Sequence, residues 1–240
     1  MPGNMWDDPE PAPDAPNEAL DLQLRRVAAA ESGIPGAMRI RLDTSRGEIE
    51  GMLHPVEGGT GAVVCVGGAM GGIDGPADSL FARLPELLAP SLITVLRLNY
   101  RRPNEFDECV VDALAGCSLL KGIGATGVVL VGHSFGGAVV IKAGELSTIV
   151  RGVVSMSPQL FGTRQVETLG KPLLLVHGMA DTILSHEASE DIYRRALEPK
   201  RIVLYADAGH SLIQAKDQID ALLAQWIPDH LGDFTLSSGA

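Results

Sequence analysis

From residue 62 onward the apolar residues come in short, mostly continuous runs rather than in alternation. The runs are 62–66 (Ala-Val-Val-Cys-Val), 92–98, 128–131 (Val-Val-Leu-Val), 152–156, 173–176 (Leu-Leu-Leu-Val) and 201–205. Between most of them lie stretches with helical character: 76–89, 106–121, 135–146, 186–197 and 211–227. Strands that are apolar on both faces and alternate with helices predict a mainly parallel sheet covered on both sides, an α/β fold. Phe106, Val110, Leu114 and Cys117 form one core-facing helical stripe. Ahead of this region, 38–42 and 49–53 flank Thr44-Ser45-Arg46-Gly47, which predicts a hairpin supplying an antiparallel edge. Earlier still, the spacing of Leu20, Leu24, Val27 and Ala28 predicts a short amphipathic helix over 18–31.

The first 17 residues are rich in Pro, Asp and Glu and have no apolar period, so a disordered acidic arm is expected there. One domain over 18–231 and a flexible tail over 232–240 complete the expected organisation. A length of 240 residues suits one α/β domain, and 45% hydrophobic with 20% charged residues is an ordinary globular mixture. A net charge of -11 with no Lys/Arg-rich run argues against nucleic acid or an anionic membrane as partner. Cys65, Cys109 and Cys117 lack metal or redox spacing and read as buried free thiols. The start of the chain lacks the basic and apolar segments of a signal peptide, and no later run is long enough to span a bilayer. A cytoplasmic protein is the expectation.

Chemistry enters after the run 128–131. There the chain reads Gly132-His133-Ser134-Phe135-Gly136-Gly137 and continues into helix-like Ala138-Val139-Val140-Ile141. This is G-x-S-x-G placed between strand and helix, the context the motif requires. The turn strains the serine backbone, and the flanking glycines let strand and helix approach without a Cβ between them. The hydroxyl then stands clear at the C-terminal edge of the sheet, over the positive end of the next helix.

On this motif and its setting the chain resembles the α/β-hydrolase fold enzymes, and in plan the small lidless esterases of the dienelactone-hydrolase type. The resemblance covers roughly 38–230. Dienelactone hydrolases often carry Cys where this chain has Ser134, a departure that bears on the lactone substrate and not on the fold. The family order is nucleophile, acid, base. His177-Gly178-Met179-Ala180-Asp181 is similar to the family's H-G-x-x-D segment, which implies Asp181 as the acid. Ala206-Asp207-Ala208-Gly209-His210 is similar to the loop that delivers the base, which implies His210. Asp207 is read as a solvated loop carboxylate, and Ser157-Pro158-Gln159 offers no competing acid. The oxyanion hole implied by the family combines the backbone N–H of Phe135 with one from Gly67-Gly68-Ala69-Met70-Gly71-Gly72, that of Ala69 or its neighbour Met70. In this loop Gly67 stands where relatives usually have His.

Only 157–171 is available where many relatives insert a helical cap, so an open, shallow cleft is expected. Met70, Phe135, Gln159, Phe161, Met179 and Ile183 are its candidate lining. The resemblance implies a small ester-type substrate and hydrolysis through an acyl-enzyme, with no cofactor and no metal. Thioesters, lactones and amides use the same route, and an acyltransferase, a perhydrolase or a non-catalytic binding homologue fits the same residues. Oligomeric state is not legible. Gly122-Ile123-Gly124-Ala125-Thr126-Gly127 matches G-x-G-x-x-G, but it follows a helix and precedes a strand, the reverse of what phosphate binding needs. His133 and His177 are read as structural neighbours of the elbow and the acid loop. His54, His186 and His230 have no metal spacing, and Tyr100-Arg101-Arg102-Pro103 is read as a loop brace rather than an anion site.

Overall fold

The computed structural model describes residues 21–232. The predicted acidic arm, residues 18–20 of the predicted helix and all of the tail but Gly232 lie outside them. Nine strands form one sheet in the order β1-β2-β3-β5-β4-β6-β7-β8-β9. They are β1 (Leu24–Glu31), β2 (Met38–Thr44), β3 (Gly47–His54), β4 (Gly61–Val66), β5 (Thr94–Asn99), β6 (Gly127–His133), β7 (Val150–Met156), β8 (Leu173–Gly178) and β9 (Lys200–Tyr205). Strands β1, β2 and β3 meander antiparallel onto β5, and from β5 to β9 every pairing is parallel.

Burial explains the order. Strands β4, β6 and β8 are buried along nearly their whole length, as their unbroken apolar runs require. On one face α1 (Pro76–Leu88) and α5 (Lys216–Leu231) cover them, seating Leu80, Phe81, Leu84, Ile219, Leu223 and Trp226 on Val63, Val95, Val129 and Leu174. On the other face α2 (Phe106–Gly122), α3 (Phe135–Leu146) and α4 (Glu187–Arg195) enclose Val64, Leu96, Leu98, Val110, Leu130 and Val139. The three cysteines are buried free thiols, and burial pushes the Cys109 and Cys117 thiols up to about 12. The stretch Gly122–Gly127 is the turn between α2 and β6.

One expectation fails. Leu24–Glu31 is an exposed edge strand, not an amphipathic helix. The spacing of Leu24, Val27 and Ala28 suggested a helical face, but the segment pairs with β2 from Leu24↔Thr44 to Glu31↔Met38. A backbone ladder thus overrides local pattern.

Arg101, just past β5, is bound to Glu108 at 2.8 Å and to Asp112 on α2, and it donates to the Arg46 carbonyl at 2.9 Å. This ties β5, α2 and the β2–β3 turn together, the bracing role read from the sequence. The strand positions reverse about β4, which has β5 on one side and β6 on the other. Such a switch point opens a crevice at the C-terminal ends of the strands.

Candidate active site

Ser134 occupies the tight turn between β6 and α3 with φ 58° and ψ -120°. A non-glycine residue there costs on the order of 1–3 kcal/mol, and the surroundings hold it in place. The Ser134 amide donates to the Met156 carbonyl at 2.8 Å. A Cβ on Gly132 would stand 2.1 Å from the Gly136 carbonyl oxygen, and one on Gly136 would stand 2.2 Å from that of Gly67. Only glycine permits this approach of strand, helix and neighbouring loop.

The loops after β8 and β9 bring two further side chains to the serine. His210 Nε2 lies 3.0 Å from Ser134 Oγ, and His210 Nδ1 lies 2.7 Å from Asp181 Oδ2. Because Asp181 can only accept when ionised, Nδ1 carries the proton and Nε2 faces the hydroxyl as an acceptor. Asp181 Oδ1 accepts from the amides of Ile183 at 2.8 Å and Leu184 at 2.9 Å. Burial alone would raise the carboxyl pKa, but the Leu184 amide, the His210 ring and the Ile183 amide outweigh it and hold Asp181 below its ordinary value.

Two more histidines support these groups. His177 Nε2 faces Asp181 Oδ2 at 3.2 Å and the Leu184 carbonyl at 3.1 Å, while Nδ1 is 2.7 Å from Ser189 Oγ. Both Nε2 partners are acceptors, so Nε2 donates and Nδ1 accepts from the Ser189 hydroxyl. Burial lowers the His177 pKa and keeps the ring neutral. His133 Nε2 donates to the His210 carbonyl at 2.9 Å, and burial pushes this ring down to about 4. Asp207 is exposed at the loop surface.

The loop Gly67–Gly72 folds over the serine, with the Cβ position of Gly68 3.6 Å from Ser134 Cβ. Phe135 opens α3, so its N–H has no helical acceptor. Among the described residues, the amides of Phe135, Ala69 and Met70 make no backbone hydrogen bond. The missing histidine at 67 has a steric reason, because a Cβ there would lie 2.6 Å from the Gly72 carbonyl oxygen and 2.7 Å from that of Gly71. Two residues anchor the loop: Tyr100, from the segment read as a brace, and Asn99, which the sequence reading missed. Asn99 Oδ1 accepts from the Gly72 amide at 2.9 Å, and the Tyr100 hydroxyl donates to the Gly67 carbonyl at 3.2 Å. The signal available for Asn99 was an amide side chain at the C-terminal end of a buried strand.

The candidate substrate contacts stand on separate loops at this same end of the sheet. Met70 is 93% exposed, Ile183 71%, Phe161 66% and Met179 47%. Gln159 is half-buried, and its Nε2 donates to the Phe161 carbonyl at 3.3 Å. Phe161 ends an edge-to-face series running through Phe106 to Phe135, with centroids 5.5 and 6.0 Å apart. The link from β7 to β8 contains one 3-10 turn, Val166–Thr168, and no cap. Among the described residues no His/Cys/Asp/Glu group could hold a metal, and no helix is long and apolar enough to cross a membrane.

A nine-stranded sheet with a strained serine between strand and helix, met by histidine and aspartate from later loops, is the architecture of an α/β hydrolase. The chain belongs to the alpha/beta hydrolase family, whose sequence model matches residues 62–182, just over half of its length. The structure is similar to Est1E from Butyrivibrio proteoclasticus, with a TM-score of 0.67 and 16% identity over 81% of this chain and 99% of that one. A putative alpha/beta hydrolase from Agrobacterium tumefaciens gives 0.69 at 16% identity, covering 81% and 96%. The dienelactone hydrolase from Anabaena variabilis gives 0.63 at 20% identity, covering 78% and 94%. In sequence, 39 residues are 49% identical to the uncharacterized protein YfhR of Escherichia coli. That match spans 16% of this chain and only 14% of the relative's length.

Proposed function

We propose that this protein is a serine hydrolase that cleaves a carboxylic ester, thioester or lactone through an acyl-enzyme. The observation that carries the reading is the unbroken chain Ser134–His210–Asp181, at 3.0 and 2.7 Å. In the first half-reaction His210 Nε2 takes the Ser134 proton as Oγ attacks the carbonyl carbon. The amides of Phe135 and Ala69, with Met70 beside it, receive the oxyanion. Collapse expels the alcohol or thiol, which leaves with the proton from His210. Water then attacks the acyl-enzyme with His210 again as base, releasing the acid and restoring Ser134. Asp181 keeps the imidazole in the useful tautomer and stabilises the imidazolium. Met70, Gln159, Phe161, Met179 and Ile183 border the substrate. The family membership and the fold shared with the named esterases and hydrolases support the assignment.

A fluorophosphonate probe and p-nitrophenyl acetate test it together. The wild type is expected to label and to hydrolyse, and Ser134→Ala to do neither. Asp181→Asn should lower kcat by about 10⁴-fold, whereas Asp207→Asn should leave it within about twofold. A wild type that resists the probe, or a Ser134→Ala variant that still labels, sinks the proposal.

A further inference from the structure

Strand β1 closes one end of the sheet and, among the described residues, pairs with β2 alone. Seven of its eight residues are exposed, so its side chains bury little. Its sequence, Leu-Arg-Arg-Val-Ala-Ala-Ala-Glu, contains three consecutive alanines, residues that favour helix over strand. Neither propensity nor burial therefore accounts for the extended backbone, which leaves one hydrogen-bonded ladder to hold it. The stretch Val27 to Ala30 carries no charge and no proline, the usual guards of an open edge, and the one bulge lies at the strand's start, between Leu24 and Arg26. Exposed Leu24, Val27, Ile34 and Met38 surround this edge. At the other end of the sheet, five of the six residues of β9 are half-buried.

We propose that β1 is the interface of a homodimer, in which two copies of the strand pair antiparallel about a two-fold axis and join two nine-stranded sheets into one. The charges of the strand select this occupant. Arg25 and Arg26 lie at one end and Glu31 at the other. A two-fold centred on Ala28 brings the Arg25-Arg26 end of one copy, where the bulge lies, beside Glu31 of the second copy at both ends of the seam. In-register parallel pairing would set arginine against arginine. The alanines in the middle let the two strands meet without side-chain collision. The new ladder satisfies the outward N–H and C=O groups of β1, and the surrounding apolar side chains gain cover. A second ladder also explains why an alanine-rich segment is a strand. The seam lies five strand steps from β6, about 24 Å at ordinary strand spacing, so it is independent of the hydrolase reading.

Sedimentation velocity on the full chain, with circular dichroism to confirm folding, tests the proposal. The wild type is expected to be dimeric. R25E/R26E should weaken the dimer by about tenfold or more, because attractive contacts turn repulsive at two symmetric places. E31R alone should weaken it too, and R25E/R26E/E31R should restore it. Hydrogen exchange should show protection of the Val27–Ala30 amides rising with protein concentration. A monomeric wild type overturns the proposal, and so does a dimer indifferent to the charge reversals. Protection of these amides that does not vary with concentration would assign the edge to residues 1–20 of the same chain and would equally overturn it.

Discussion

At Asp181 a single carboxylate oxygen serves two histidines, His210 at 2.7 Å and His177 at 3.2 Å, while the other oxygen takes two loop amides. The orientation of His210 is thus inherited from the whole β8 loop rather than from one contact. His133 adds a second restraint by holding the His210 backbone carbonyl, and it does so as a neutral donor. That role has a cost in acid. Burial pushes His133 from 6.5 to about 4 in the folded protein, whereas the unfolded chain takes the proton below 6.5. Between those values the unfolded state binds more protons, so stability falls as pH falls through the window and levels off beneath it. The shift corresponds to about 3 kcal/mol. Urea unfolding across the window should show this decline, and His133→Gln, which keeps an N–H for the His210 carbonyl, should show a smaller one. An unchanged decline in the variant would mean that the ring titrates normally when folded.

At the scale of elements, each catalytic candidate is a loop residue whose position is set by the strand before it. This is why so much of the candidate site was legible: short apolar runs marked β6, β8 and β9, and Ser134, Asp181 and His210 each follow one of them. The hairpin, the five helices and the absence of a cap were legible for the same reason. Two things were not. The helical spacing of Leu24, Val27 and Ala28 could not reveal a strand whose only support is a ladder to a neighbour. Asn99 as an anchor of the Gly67–Gly72 loop was hidden because it ends β5, far along the sequence from the loop whose Gly72 amide it accepts from. Asn99 gives this an experimental form. Removing its side chain frees the Gly72 amide and the loop that presents Ala69 and Met70, while leaving Ser134, His210 and Asp181 untouched. Asn99→Ala is expected to lower kcat by about 10- to 100-fold with little change in KM, as for loss of a group that acts on the oxyanion alone. A rise in KM at constant kcat would place Asn99 on the bound substrate instead.

For the whole molecule, the uncapped end of the sheet sets the kind of selectivity the protein can have. The link between β7 and β8 is too short to fold over Ser134, and the apolar side chains around it stand in water, Met70 at 93% and Phe161 at 66% exposure. A methylene fully enclosed by protein contributes about 0.8 kcal/mol, or roughly fourfold in kcat/KM for each carbon added to an acyl chain. On an open rim a chain covers only one of its sides, which halves the contribution and leaves about twofold per carbon. A series of p-nitrophenyl esters of increasing acyl length should therefore show kcat/KM rising gently, at about twofold per methylene or less, with bulky acyl groups tolerated. A slope near fourfold sustained along the series would require a closed pocket that these loops do not form, and the shallow-cleft reading would have to be abandoned. Phe161→Ala separates the rim from the chemistry. Losing this aromatic side chain from the rim should flatten the slope further while leaving the rate on acetate unchanged, because the shortest acyl group does not reach the rim.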